Sequence, residues 1–246
     1  MEKRVIIVTG ASKGNGLAIS NLLAEDSRNL VIGVDIVKCD SNYKRVFKRY
    51  LQIDVTTPDA GIVALKTATE ISDYVCLVNN AGITKPHDLS YPLEDFDATL
   101  EVNLRAPFVW MEHYRNLVEK KVIKSGAIVN ICSLSAHRAF PGNPAYIVSK
   151  HGLLGLTKYY ALVLGKSKIR VNSVSPGYVV TDMTSRSFQN EKRREKIDHH
   201  SMLGRWGESA EIAQVVQFLL SEQSSFITGS DIPVDGGWLS KGLFPN

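Results

Sequence analysis

Val5-Ile6-Ile7-Val8-Thr9-Gly10-Ala11-Ser12-Lys13-Gly14-Asn15-Gly16 sets five β-branched residues in a row, four of them apolar, before three glycines within seven positions. An apolar run without alternation reads as a strand covered on both faces, the pattern of a parallel sheet. The following Leu17–Ala24 has helical character, so the glycines sit at a strand-to-helix turn. A helix N-terminus with free backbone N–H groups and no Cβ in the way accepts a pyrophosphate. A glycine cluster alone is also found in plain tight turns; here the strand before it and the helix after it supply the context.

Working outward, six further runs read as strands: Leu30–Asp35, Tyr50–Asp54, Val75–Asn79, Ala127–Ile131, Arg170–Val174 and Asp231–Val234. Between them lie helical segments at Ala60–Ile71, around Phe96–Lys121, at Pro144–Leu164 and at Ala210–Ser221. In the last, Ile212, Val215, Val216 and Leu219 recur at i, i+3, i+4 and i+7, one buried stripe. Strand–helix alternation predicts an α/β fold with a parallel sheet and right-handed crossovers. The chain reads as one domain over residues 1–246 with no repeat and no linker. The stretch 176–207 has no clear period and is long for a plain connection, which predicts a substrate lid at about 177–207.

Composition narrows the class. Against 25 Asp and Glu stand 29 Lys and Arg, a formal charge of +4, too small for a nucleic-acid footprint. No apolar run approaches the ~20 residues that span a bilayer. The strand after Met1-Glu2-Lys3-Arg4 is too short for a signal-peptide core. Cys39, Cys76 and Cys132 are far apart and odd in number, which argues against a disulfide scaffold or a cysteine-rich zinc site and predicts a reducing cytoplasm. His199-His200 has no partner at ligand spacing, so no metal is expected.

Asp35 ends the second strand, where a carboxylate accepts hydrogen bonds from an adenosine ribose and repels a 2′-phosphate. The alternative for Asp35 is an ordinary strand-end acid. Lys13 in the glycine turn and Lys38 beyond the second strand pull toward NADP, but lysines in exposed turns are mostly solvated. NAD rather than NADP is the expected cofactor.

Tyr146 and Lys150 stand four apart on a helix that opens at Pro144, so they share one face. A phenol is a poor base at neutral pH, and a neighbouring ammonium favours the phenolate. The same spacing also occurs on ordinary amphipathic surfaces. Ser133 follows the strand Ala127–Ile131, on the side where a parallel sheet forms its ligand crevice. It is placed either to hydrogen-bond a substrate oxygen or to cap a turn. Asn103 falls in a helical segment that it suits poorly, as a tolerated exposed residue or as a water ligand in an interrupted helix.

With these residues the chain resembles the short-chain dehydrogenase/reductase family, in its single-domain branch, from Val5 to Trp238. The matching motifs are Thr9-Gly10-x-x-x-Gly14-x-Gly16, Asp54-Val55, Asn79-Asn80-Ala81-Gly82, Asn103, Ser133, Tyr146-x-x-x-Lys150, Pro176-Gly177 with Thr181, and Asp235-Gly236-Gly237. The resemblance implies a doubly wound, seven-stranded parallel sheet (Rossmann fold) with helices on both faces and strand order 3-2-1-4-5-6-7. It implies that Tyr146 is the general acid/base, that Ser133 polarises the substrate oxygen, and that Lys150 favours the phenolate and holds the nicotinamide ribose. Asn103 would carry a relay water. Cofactor contacts would come from Gly10, Ser12, Lys13, Asn15 and Gly16 of the turn, then Asp35, Asp54, Val55, Asn80, Ala81 and Gly82. Tyr146, Lys150, Pro176, Gly177, Val179 and Thr181 would complete them. A homotetramer with the Pro144–Leu164 helix and the C-terminal segment at interfaces is also implied. Asn15 departs from the branched aliphatic usual at its position.

Substrate contacts are expected from Ser133, Ser135, Asn143 and Tyr146, with His87, His137, Phe140, Tyr178, Met183 and Met202 as further lining. The polar members favour a small hydroxylated or carboxylated substrate, interconverted between secondary alcohol and ketone. Two other readings compete. One is an NADPH-dependent 3-oxoacyl carrier-protein reductase, which Lys13, Lys38 and the basic Lys192-Arg193-Arg194-Glu195-Lys196 support and Asp35 opposes; that basic run is otherwise a solvated helix face. The other is a non-catalytic dinucleotide sensor, which the intact Asn103, Ser133, Tyr146 and Lys150 oppose.

Overall fold

A computed structural model describes residues 3–87 and 90–241. Seven strands form one parallel sheet in the order β3-β2-β1-β4-β5-β6-β7. They are β1 (Arg4–Thr9), β2 (Asn29–Asp35), β3 (Arg49–Gln52), β4 (Val75–Asn79), β5 (Ala127–Ile131), β6 (Arg170–Pro176) and β7 (Asp231–Val234). The central register pairs Val5 with Leu30 on one side and with Val75 on the other. The order reverses between β1 and β4, opening a crevice at the carboxyl ends of those strands.

The unbroken apolar run of β1 serves two cores. Val5 and Ile7 face one layer with Ile32, Leu77, Trp110, Tyr114, Leu153 and Tyr160. Ile6 and Val8 face the other with Ile19, Leu23, Cys76, Val129, Ile212 and Leu219. The period of two along the strand sends neighbours to opposite faces, so both faces must be apolar. One layer is built by α2 (Ala60–Thr69), α4 (Ala106–Glu119) and α5 (Pro144–Leu164), the other by α1 (Gly14–Ala24) and α8 (Ser209–Leu220).

Four details differ from expectation. The helix after the glycine turn begins at Gly14, inside the turn itself. β3 stops at Gln52, leaving Asp54 in a turn where its carboxylate accepts from Thr56. The Phe96–Lys121 stretch divides into α3 (Leu93–Leu100), a π-helical turn (Glu101–Arg105) and α4. Such a turn inserts an extra residue per turn and often marks a functional site. The aperiodic segment 177–207 carries α6 (Ser185–Gln189) and α7 (Glu191–His200). Only Ile197 of α7 is buried, so no apolar stripe announces that helix.

Candidate active site

The glycine turn is held by β4. Thr9 Oγ1 accepts from the backbone N–H groups of Asn80 and Ala81, both at 3.0 Å. Asn80 Nδ2 donates to the carbonyls of Thr9 (2.9 Å) and Gly10 (3.1 Å). Gly10 has φ +65°, and a Cβ there would lie 2.9 Å from Ala81 Cα. Backbone approaches backbone too closely for any side chain.

Asp35 closes onto this turn. Its Oδ2 accepts from Ser12 N at 2.9 Å and its Oδ1 from Val37 N at 3.0 Å. Each oxygen keeps a lone pair for a ribose hydroxyl. Lys13, read as a solvated lysine, lies 3.8 Å from Asp182 in an exposed ion pair. Asn15 receives a 2.8 Å hydrogen bond from Ser209 Oγ, at the start of α8, so the polar residue in place of an aliphatic ties two helix N-termini together. Gly14 faces Thr181, whose side chain would stand 3.6 Å from a Cβ at that position. Val55 accepts from Trp110 Nε1 through its carbonyl at 3.1 Å. Gly177 N donates to Val234 O at 2.9 Å, and the buried Val179 bridges to Gly207.

Across the crevice, α5 brings Tyr146 and Lys150 to the end of β5. Asn143 caps this helix, its Oδ1 accepting from Tyr146 N at 3.3 Å. Lys150 is buried, donates from Nζ to Ile131 O at 2.8 Å and stands 5.5 Å from the centre of the Tyr146 ring. Ser133, two residues past Ile131, caps the short turn Leu134–Ala136 by accepting from Ser135 N at 3.1 Å. Its own hydroxyl proton is left free to be donated. A Cβ at Gly82 would lie 3.7 Å from Lys150 Nζ, so glycine keeps the approach to the ammonium open.

Asn103 is fully buried in the π-helical turn. Its amide grips Ile83 from both sides, accepting from Ile83 N at 2.8 Å and donating to Ile83 O at 2.9 Å. Of the expected substrate contacts, Asn143 is largely engaged: its Oδ1 also accepts from Tyr91 at 3.2 Å and its Nδ2 donates to Thr84. Ser135 is buried beside Ser133. His137 pairs with Asp231 at 2.8 Å, a carboxylate that also accepts from Ser173 and Ser175. His87 pairs with Asp95 at 2.8 Å. Phe140 and Tyr178 both pack on Trp238, while Met183 and Met202 are exposed. Burial pushes the Cys132 thiol up to about 12, so it is not a thiolate nucleophile beside Ser133 at neutral pH.

Sequence reasoning missed Asp182 and Ser209 as partners of the turn, the reach of the Thr9 hydroxyl to Asn80 and Ala81, and Ile131 and Ile83 as backbone anchors of Lys150 and Asn103. None carries a local signal, because each acts across 69 or more residues or through its carbonyl or N–H.

A glycine turn bonded to the strand-end carboxylate of Asp35 and a Tyr146–Lys150 pair lie at one crevice. The family model described as enoyl-(acyl carrier protein) reductase matches residues 10–239. The chain belongs to the short-chain dehydrogenase/reductase family and is an NAD(P)-dependent oxidoreductase acting on CH–OH groups. It is 37% identical to a 3-oxoacyl-(acyl carrier protein) reductase of Thermotoga maritima, over 96% of this chain and 98% of that one. Among solved structures, 4-hydroxyisoleucine dehydrogenase complexed with NADH superposes with a TM-score of 0.89 at 34% identity, covering 98% of this chain and 100% of the other. A putative 2-deoxy-D-gluconate 3-dehydrogenase from Agrobacterium tumefaciens with bound NADP gives 0.88 at 32%, covering 98% of both. No described helix is long and apolar enough to cross a membrane.

Proposed function

We propose that the protein catalyses the reversible NAD(H)-linked oxidation of a small, sugar- or polyol-like secondary alcohol to its ketone. The observation that carries this reading is the junction at the end of β5. There a buried Lys150, pinned to Ile131 O, presents its ammonium beside the Tyr146 ring, and Ser133 keeps a free hydroxyl proton.

A nicotinamide dinucleotide held here would supply the hydride acceptor for oxidation and the hydride donor for reduction at the carbinol carbon. Tyr146 takes the hydroxyl proton in oxidation and returns it in reduction. Ser133 donates to the same oxygen and orients it. Lys150 stabilises the phenolate electrostatically and would hold the nicotinamide ribose, with Gly82 beside its ammonium. Asp35 would hold the adenosine ribose, and the turn from Gly10 to Gly16 would hold the pyrophosphate. Pro176, Gly177, Val179 and Thr181 would hold the carboxamide, and residues 177–207 would act as the lid.

Asp35 supports NAD, and Lys13 is partly neutralised by Asp182. One solved relative carries NADH and another NADP. A second reading, NADPH-dependent reduction of a 3-oxoacyl carrier-protein substrate, is favoured by the Thermotoga relative and by the exposed Lys192, Arg193 and Lys196 on α7.

A paired titration with NADH and NADPH tests the choice. NADH binding at least about 10-fold tighter, ~1.4 kcal/mol, is expected, and the reverse preference moves the second reading to first place. Tyr146→Phe is expected to lower turnover about 100-fold or more with NADH binding retained; full activity in a folded variant removes Tyr146 from its role.

We also propose a homotetramer in the cytoplasm. The outer face of α5 exposes Val148, Tyr159 and Leu162, an apolar stripe that a second copy would cover. The end of the C-terminal segment, 242–246, lies outside the described residues. Sedimentation as a monomer at micromolar concentration would overturn the assembly.

A further inference from the structure

Ser149 lies between Tyr146 and Lys150 and is fully buried. Its hydroxyl donates to Tyr146 O at 2.8 Å and accepts from Asn103 Nδ2 at 3.3 Å. The same Asn103 amide holds Ile83 by two further hydrogen bonds. The serine, through Asn103, therefore links three elements: the turn of α5 that carries Tyr146, the π-helical turn, and the chain just past Gly82. One turn along, Gly152 lets Leu104 pack against α5, since a Cβ there would lie 2.9 Å from the leucine methyl groups. Polar link and apolar contact together fix how α5 sits on the π-helical turn.

We propose that Ser149 is a positioning residue for the reaction, setting the spacing of Tyr146 and Lys150 by tying the backbone of their shared turn to Asn103. Lys150 is anchored separately, at Ile131 O on β5. The ammonium is thus fixed by the sheet and the phenol by the π-helical turn, and Ser149 is the hydroxyl that holds the second half in place. It touches neither substrate nor cofactor in this scheme. Buried and bonded on both sides, it leaves a donor of Asn103 without an acceptor when removed. The attraction between ammonium and phenolate then weakens as the two drift apart. The same construction gives the Asn103 side chain its occupation: its described hydrogen bonds all go to Ile83 and Ser149.

This inference rests on the proposed role of Tyr146, and the test separates the two. The appearance of tyrosinate absorbance with rising pH is recorded for the wild type and for Tyr146→Phe, and the difference isolates Tyr146 without any substrate. The same difference is then recorded in the Ser149→Ala background, with NADH titrated in parallel. Ser149→Ala is expected to bring up the Tyr146 signal at higher pH, with NADH affinity changed less than about 2-fold. Ser149→Thr, which keeps the hydroxyl, is expected to restore the wild-type profile. A merely structural serine would lower thermal stability without moving the profile. An unmoved profile in Ser149→Ala overturns the proposal, as does a folded Ser149→Thr that behaves like the alanine variant. If Ser149→Ala does not fold, Ser149→Cys, with similar volume and a far weaker donor, carries the same reading. If instead Tyr146→Phe keeps full turnover, the catalytic assignment fails, whatever Ser149 does.

Discussion

The glycine turn and the segment 177–207 meet across one crevice but are built on different physics. The turn is clamped at its own backbone: the Thr9 and Gly10 carbonyls accept from Asn80 Nδ2, Ser12 N donates to Asp35, Thr9 Oγ1 accepts from Ala81 N, and Gly10 and Gly16 have no room for a Cβ. The segment has backbone bonds as well, Gly177 N to Val234 O and Leu203 N to Gly236 O, and adds side-chain seats. It is seated by Ser201 Oγ donating to Gly236 O, by Arg205 on Glu211, and by an exposed pair between Asp182 and Lys13. One region tolerates almost no change in shape, and the other adds to its buried seats two exposed ion pairs that solvent competes for.

The sharpest way to break this contrast is a matched pair of glycine substitutions. A Cβ at Gly16 would lie 1.9 Å from the Gly10 carbonyl oxygen and 2.6 Å from Asn80 Nδ2. Relief requires moving the turn's own backbone. Gly16→Ala is therefore expected to abolish measurable NADH binding and to lower the melting temperature. Gly204, inside the segment, has φ +68° but nothing within 4 Å of its Cβ position. Gly204→Ala is expected to cost only the conformational penalty of about 1–2 kcal/mol and to leave NADH affinity unchanged. Equal losses in calorimetry and cofactor titration would erase the distinction.

The same contrast explains what could be read from the sequence. The turn was legible because β-branched run, glycines and Asp35 fall within 31 residues and each reports backbone geometry locally. The strands followed from similar short-range periods, whereas the sheet order came from the family resemblance. The Tyr146–Lys150 helix was bounded at both ends, since Pro144 marks its start and its apolar positions persist to Leu164. The segment was opaque for a physical reason. α7 reads Glu191-Lys192-Arg193-Arg194-Glu195-Lys196-Ile197-Asp198-His199-His200 and buries one side chain, so hydrophobic periodicity has nothing to detect. Its visible local signal is Asn190, whose Oδ1 caps the helix by accepting from Arg193 N at 3.0 Å. Partners such as Ser209 for Asn15, 194 positions apart, leave no trace in spacing.

Asp182 tests whether the segment feeds back on the turn. With Asp182 beside it, the Lys13 ammonium offers less attraction to a 2′-phosphate, while NADH lacks that group. Asp182→Asn is expected to tighten NADPH about 2- to 5-fold and to leave NADH unchanged, the range of an exposed ion pair. The gain is expected to shrink as salt is raised and to vanish in a Lys13→Ala background. Paired fluorescence titrations decide it, and an unchanged NADPH-to-NADH ratio would confine Asp182 to the segment.

The smallest effect concerns the far seat of the segment. The Arg205 guanidinium, followed by the Glu208 backbone N–H, holds the Glu211 carboxyl down at about 2. A carboxyl lowered on folding stabilises the native state above its unfolded value near 4.5, and that contribution disappears as pH falls toward 2. Both side chains are substantially exposed, so solvent screening keeps the contribution below about 1 kcal/mol. Glu211→Gln should therefore be slightly less stable than the wild type at pH 7, with the gap closing on acidification. Glutamine still presents an oxygen to Glu208 N, which Glu211 Oε2 accepts from at 2.8 Å, and so preserves the helix cap while removing the charge. A gap that persists at low pH would mean that cap geometry, rather than the ion pair, anchors the segment to α8, making this seat as backbone-dependent as the glycine turn.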